Sequence, residues 1–302
     1  MDGVLNVRKT AGPTSHDIIN EIRRIFSLKK VGHAGTLDPM ATGVLVVCLG
    51  KATRVVEYLV GVPKEYRAKM ILGASTDTQD STGVVTAESD SSSVTRSMLE
   101  DAVKAFVGEI EQIPPMVSAI KHQGKPLYKL ARQGITIERS ARKINIYSIE
   151  VLDFIPGSMA EVEILVKCSS GTYIRTLCAD IGEKLGCGAH MSMLDRTEVG
   201  RFTIEESKSI EQLIQMKSEG SLDTSLVSIG DALDDMPAIT ISNEDIMNVL
   251  HGLPVKTTSL TETDDTVRML SLEGRLIALG TVAIKDCETI VKPRKVLAEV
   301  SD

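Results

Sequence analysis

One stretch of the chain concentrates residues able to do chemistry. Between Val31 and Leu45 stand one histidine (His33), one aspartate (Asp38) and three glycines (Gly32, Gly35 and Gly43). A basic pair, Lys29-Lys30, precedes it, and an apolar run from Val44 to Leu49 closes it. Pro39 biases Asp38 away from the helical region, and the glycines permit positive φ and close backbone approach. Asp38 is therefore expected on a tight loop, not on the side of a helix. A carboxylate presented that way can serve as a nucleophile or as an acid/base. A plain Asp-Pro turn is the competing reading, and on these residues alone both stand.

Other chemistries find less support. Gly50-Lys51 resembles the end of a phosphate-binding loop, but Leu45 replaces its first glycine and Ala52 the hydroxyl residue that would hold magnesium. Ser118-Ala-Ile-Lys121 fits the S-x-x-K pattern of serine acyltransferases without the companion motifs that give it meaning. The five cysteines (Cys48, Cys168, Cys178, Cys187 and Cys287) include no C-x-x-C pair and read as free thiols, with Cys48 and Cys168 in apolar runs that predict burial. H-x-x-x-H spacing is absent, and the acidic residues from Asp77 to Asp80 lack the alternation of a calcium loop. No metal site is expected. Asp38 is left as the best-placed reactive group.

These residues must be positioned by the elements around them. Gly3–Lys9 reads as a strand. Thr14 and Ser15 offer capping oxygens to a helix carrying Ile18, Ile22, Ile25 and Phe26. Residues 44–49 form a buried strand, Lys51–Val60 a second helix, and Lys64–Leu72 another strand. Ser91–Ser93 precedes a helix with Leu99, Val103 and Phe106 on one face, and Ile113-Pro-Pro-Met116 forces extended backbone. Lys125–Gln133 is read as a short basic helix. Strands follow at Ile144–Phe154 and Ala160–Cys168, then a helix marked by Tyr173, Leu177, Ile181 and Leu185 and ended by Gly186. Strand-like segments at 190–203 and a helix at 208–217 precede Asp234-Asp-Met-Pro237, read as a linker to a small β-rich appendage with one helix at Asn243–Leu250. Interspersed helices and strands without a strict repeat give an α+β class.

At 302 residues, 42% apolar and 25% charged, the chain has the composition of a globular protein of two domains. It holds no apolar run long enough to span a bilayer, and its first residues lack the pattern of a signal peptide. A cytoplasmic location is the expectation. The net charge of −7 is unevenly spread: residues 203–265 carry −10, which leaves +3 on the rest. Ala119–Lys143 holds Lys121, Lys125, Lys129, Arg132, Arg139, Arg142 and Lys143 against Glu138 alone, +6 in 25 residues. A solvated face is one reading; contact with the phosphates of a polyanion is the other.

Five ordered motifs then identify a resemblance. Gly32-His33-x-Gly35-Thr36-Leu37-Asp38-Pro39-x-Ala41-x-Gly43 is followed by Lys64-x-Tyr66-Arg67 with Gly73 and Thr76-Asp77-Thr78-x-Asp80. Next come Gln112-Ile-Pro-Pro-x-x-Ser118-Ala119-x-Lys121 with Leu127-Tyr128 and Ala131-Arg132-x-Gly134, then Cys168-Ser-x-Gly171-Thr172-Tyr173-Ile174-Arg175, then Gly186-Cys-Gly-Ala-His190. Over residues 3–205 the chain resembles the bacterial tRNA pseudouridine-55 synthases of the TruB family. Residues after 237 are more weakly similar to the small RNA-binding (PUA-like) domain that ends many members.

The resemblance implies a mixed, mostly antiparallel central sheet flanked by helices. It implies a catalytic domain over 1–235 and a PUA-like domain over 236–302. The implied activity is isomerisation of uridine-55 in the T-arm of tRNA, without cofactor or metal, by a monomer. Asp38 would be the nucleophile, acting at C1′, at the pyrimidine ring or through a glycal-like intermediate, and all three routes stay open. Tyr66 matches the family's tyrosine against the target base, and Arg175 matches the arginine that keeps the aspartate charged. His33 matches a residue that fills space in the RNA stem. Tyr173 and Leu194 are expected at the base, and Lys121, Lys125, Lys129, Arg132, Arg142 and Lys143 at RNA. Two departures stand out: Thr10 replaces the family's proline, and Asp195 replaces an arginine, which would weaken RNA contact if it faced phosphate. The alternative is an RNA-binding or RNA-folding protein that has lost catalysis.

Overall fold

The computed structural model describes residues 1–118, 120–131, 133–258, 266–285 and 288–298, without the side chains of Lys121 and His122. Arg132, the Lys121 side chain and Cys287 therefore lie outside the described residues.

The chain opens with β1 (Gly3–Lys9) and α1 (Ser15–Phe26). Thr14 caps that helix, its side chain accepting from the Asp17 amide while Asp17 reaches back to the cap. β2 (Val31–His33) and β3 (Thr42–Leu49) flank the Asp38 loop. Two apolar faces explain why β1 and β3 lie deep. Val4, Val44, Val46 and Cys48 point into one core cluster, and Leu5, Val7, Leu45, Val47 and Leu49 into another beneath α1. The helix expected at Lys51–Val60 is split into a 3-10 turn over Gly50–Val55 and α2 (Val56–Gly61). Gly50 sits at φ 59 and the Thr53 hydroxyl bonds back to its carbonyl, which tightens the first turn.

β4 (Lys64–Leu72) alternates buried and less buried residues as its sequence requires. A small hairpin, β5 (Ala74–Thr76) and β6 (Val85–Glu88), brackets the loop at 77–84. α3 (Arg96–Lys104) starts later than the serines suggest because Thr95 supplies the cap, and Phe106 falls beyond its end. β7 (Gly108–Gln112) leads to β8 (Lys121–His122), β9 (Lys125–Pro126) and α4 (Leu127–Ala131), a shorter helix than the 125–133 expected. β10 (Arg142–Ile155) and β11 (Glu161–Cys168) form a long antiparallel pair, followed by α5 (Ile174–Lys184) and β12 (Ala189–Val199). β13 (Phe202–Thr203), α6 (Ile210–Ser218), β14 (Leu226–Val227) and α7 (Ile229–Ala232) close the larger part.

Among the described residues, ten strands join one sheet in the order β14-β1-β3-β12-β4-β11-β10-β7, with β2 on β3 and β13 on β12. Every pairing is antiparallel except β3 with β12, where Thr42 and Gly43 lie beside Asp195 and Arg196. A second sheet is built from β15 (Ala238–Thr240), β16 (Val255–Lys256), β17 (Thr266–Leu270), β18 (Leu276–Lys285) and β19 (Glu288–Val296), with α8 (Asn243–Leu250) beside it. The stretch read as a linker is pinned in place. The Arg268 guanidinium donates to the carbonyls of Gly230, Asp234 and Met236. Ala232, Leu233, Leu279 and Leu297 complete the core cluster that holds Val4 and Cys48. The four described cysteines are buried and free, and Cys168, Cys178 and Cys187 belong to the cluster around β4, β11 and α5.

Candidate active site

The Asp38 loop is held through its carbonyl groups, which need donors once the chain turns away from strand geometry. Three side chains supply them. Fully buried Lys9, at the end of β1, donates to the carbonyls of Thr10, Pro39 and Ala41 at 3.1, 3.1 and 2.6 Å. The Ser15 hydroxyl accepts from the Leu37 amide at 2.9 Å and donates to its carbonyl at 3.0 Å. Buried Arg196, on β12, donates to Val44 at 2.8 Å and Gly35 at 3.1 Å. The Ala41 amide returns to the Asp38 carbonyl, closing the turn that Pro39 predicted.

Asp38 faces Arg175 across this turn. The guanidinium, in the first turn of α5 and 4% exposed, donates to Asp38 Oδ2 at 2.7 Å and to Asp80 Oδ2 at 3.4 Å. Asp80 is itself buried, and its other oxygen accepts from the Thr78 hydroxyl at 2.8 Å and the Thr82 amide at 3.0 Å. One cation thus bridges two carboxylates, one deep and one at the cavity wall. Burial pushes the Asp38 carboxyl above its ordinary range, Arg175 opposes that shift, Asp80 adds to it and Lys9 counters it. Burial also lowers the Lys9 and Lys64 ammonium groups to about 8, and Lys64 donates to the carbonyls of Val60 and Val62.

A cavity of about 270 Å³ opens beside Asp38. That is near the lower end for small-molecule sites, roughly 300–1,000 Å³, and suits a single nucleoside. Tyr66, Tyr173, Ile174, Met191 and Leu194 supply apolar wall, Lys64, Arg175 and Arg196 supply positive charge, and Asp38 is the one acidic side chain among the described lining residues. Burial raises the phenol pKa of both Tyr66 and Tyr173, which keeps them neutral.

The structure therefore brings Asp38, Tyr66, Tyr173, Arg175 and Leu194 to one cavity. His33 stands apart from the cavity wall, on β2. Its pKa is lowered by burial and by Arg196, so the ring is neutral at pH 7, and Nδ1 has no partner among the described residues. Lys125, Lys129 and Arg142 are exposed, whereas Lys143 pairs with Glu109 at 2.8 Å. Asp195 accepts from the Thr42 hydroxyl at 2.8 Å, so its carboxylate ties β12 to β3. Sequence reasoning missed Lys9, Asp80 and Arg196 as parts of the site. Asp80 lay in a quoted motif, and Lys9 and Arg196 stood beside the two departures, Thr10 and Asp195, but their burial depends on contacts far apart in the chain.

Comparison with known proteins agrees with this geometry. The family described as TruB family pseudouridylate synthase (N terminal domain) matches residues 23–174, and tRNA pseudouridylate synthase B C-terminal domain matches 175–236. A Heliobacterium modesticaldum protein named tRNA pseudouridine synthase B is 40% identical over 300 residues, covering 99% of this chain and 97% of its own. One of the same name from Clostridium perfringens is 48% identical over 244 residues, 81% of each chain. A solved structure of an H/ACA RNP bound to a substrate RNA containing 2′-deoxyuridine superposes with a TM-score of 0.76 at 30% identity, covering 98% of this chain and 85% of that one. On the span of the family match and the identity of these full-length relatives, the chain belongs to the TruB family of pseudouridylate synthases.

Proposed function

We propose that the chain is an isomerase that converts uridine to pseudouridine in tRNA, with uridine-55 of the T-arm as its target and Asp38 as its nucleophile. One observation carries this reading: Asp38 is the only described carboxylate lining a nucleoside-sized cavity, and Arg175 meets it at 2.7 Å. A uracil stacked in an RNA stem-loop is out of reach, so it must be flipped, at a cost of roughly a few kcal/mol. Aromatic contact with Tyr66 or Tyr173 can return about 1–3 kcal/mol of that.

The chemistry balances within the nucleotide. The C1′–N1 bond breaks, the base turns, and C5 bonds to C1′. The C5 hydrogen leaves to solvent and N1 takes up a proton, so no co-reactant is consumed. Arg175 opposes the burial that favours the neutral form of Asp38. Lys125, Lys129 and Arg142, exposed on the basic segment, are assigned to RNA phosphates, and His33 to the space vacated in the stem. Residues 236–302 are assigned as a PUA-like RNA-binding domain, and the enzyme is read as a cytoplasmic monomer. tRNA carrying tritium at uridine C5 tests the proposal. The wild-type chain is expected to release label to solvent and Asp38→Asn to release none; undiminished release by the variant removes Asp38 from its role.

A further inference from the structure

We propose that Gln79 is a positioning residue that sets the roll of α5 and thereby aims Arg175 at Asp38. The inference rests on the pseudouridine-forming reading above. α5 begins without a side-chain cap, since its preceding residue is Tyr173, and the first turn of such a helix has amides to satisfy. Buried Gln112, the last residue of β7, takes one side of that turn. Its Oε1 accepts from the Tyr173 amide at 2.8 Å and its Nε2 donates to the Tyr173 carbonyl at 3.1 Å. That grip fixes where the helix starts; Ile174, Leu177, Cys178 and Ile181, packed in the core cluster, bound how far the helix can roll, and the fine aim of Arg175 is left to a second grip.

The second grip comes from the loop at 77–84. The Thr176 hydroxyl, 3% exposed and next in sequence to Arg175, donates to the Gln79 side-chain carbonyl at 2.7 Å. Gln79 is one of three described non-glycine residues with positive φ, at 63°, a conformation that needs support from its surroundings. The support is its main chain: its carbonyl accepts from the Met191 amide at 3.0 Å, and the Ser81 amide donates to the Met191 carbonyl at 2.9 Å. The loop is thereby stitched to β12. Two successive residues of α5, Arg175 and Thr176, thus grip two successive residues of the loop, Asp80 and Gln79. Because a single guanidinium spans both Asp38 and Asp80, a roll of α5 disturbs both contacts. Gln79 does not line the cavity, so it acts through the helix.

Full-length protein and tritiated tRNA test this with Thr176→Val, which removes the hydroxyl at constant shape, Thr176→Ser, which keeps it, and Gln79→Met. Thr176→Val and Gln79→Met are expected to slow single-turnover release five- to twentyfold, with tRNA Kd within twofold of wild type. Thr176→Ser is expected to stay within twofold in both. Carboxyl ¹³C NMR of the RNA-free protein, with Asp38 assigned by its loss in Asp38→Asn, is expected to show Asp38 titrating at higher pH in Thr176→Val but not in Thr176→Ser. Wild-type rate and titration in Thr176→Val, or equal losses in the serine and valine variants, overturn the inference. A wild-type protein that releases no tritium overturns the functional reading instead, and the NMR comparison still decides the role of Gln79.

Discussion

Arg175→Met removes the cation that meets Asp38 and isolates its contribution. Nearest atoms at 2.7 Å put the charge centres about 4 Å apart, where attraction is about 4 kcal/mol at an effective dielectric of 20. The Asp38 side chain is 36% exposed, and solvent screening reduces the figure to about 2 kcal/mol. Lost orientation of the carboxylate adds to this. A total of about 2–4 kcal/mol corresponds to a roughly 30- to 1,000-fold slower chemical step.

The pH dependence has a definite sign. Burial already holds the Asp38 carboxyl above its ordinary range and Arg175 opposes it. Without Arg175 the pKa rises further, so the acid limb of the rate moves to higher pH. The substitution also strands Asp80, 5% exposed, as an unpaired buried charge, which costs about 3–5 kcal/mol of stability. Adding Asp80→Asn is expected to recover the melting temperature and leave the rate low. Single-turnover tritium release across the pH range, for both single variants and the double, is the assay. Arg175→Met within threefold of wild type with an unmoved acid limb, or a loss explained entirely by weaker tRNA binding, would refute the reasoning.

Four further outcomes are expected. Lys9 sits at about 8; above that pH its amine keeps two hydrogens for three carbonyls, so the rate falls as pH rises through about 8 and Lys9→Met flattens that limb. Gly43→Ala places a Cβ 2.2 Å from the Arg196 carbonyl oxygen and 2.6 Å from Asp195 Oδ1, at φ 103; a loss of more than about 3 kcal/mol in a denaturant titration is expected at this junction. Lys129→Ala should lower the slope of log K against log salt for tRNA by roughly 0.7–0.9, the share of one phosphate contact. Lys143→Ala should lower it less, because Glu109 already holds that ammonium.

Period and punctuation carried much of this fold. β4 matches Lys64–Leu72 because its alternation meets a core on one face, and Asp38 reads as a turn residue because Pro39 restricts it locally. The parts that escaped are those decided at long range. Lys9 looks like the polar end of a strand until the carbonyls of Pro39 and Ala41 close over it. Asp80 sits in a polar loop whose composition says exposed, yet it is buried through Thr78, Thr82 and a guanidinium 95 positions away. Asp195 would weaken RNA contact only if it faced phosphate, and its carboxylate instead accepts from a hydroxyl on β3. Phe106 fits the period of α3, but the helix ends two residues before it.

The buried thiols give the protein internal reporters of its own unfolding. Burial raises Cys48 and Cys178 to about 12 and Cys168 to about 11, so the nucleophilic thiolate is scarce while the core is closed. Cys48 belongs to the cluster that the second sheet completes, and Cys168 and Cys178 to the cluster behind Tyr66. Alkylation at Cys48 therefore times the opening of one half of the molecule, and alkylation at the other two times the half that holds the catalytic cavity. Peptide-resolved labelling can thus say which half yields first under denaturant, and whether bound tRNA slows one opening, both or neither.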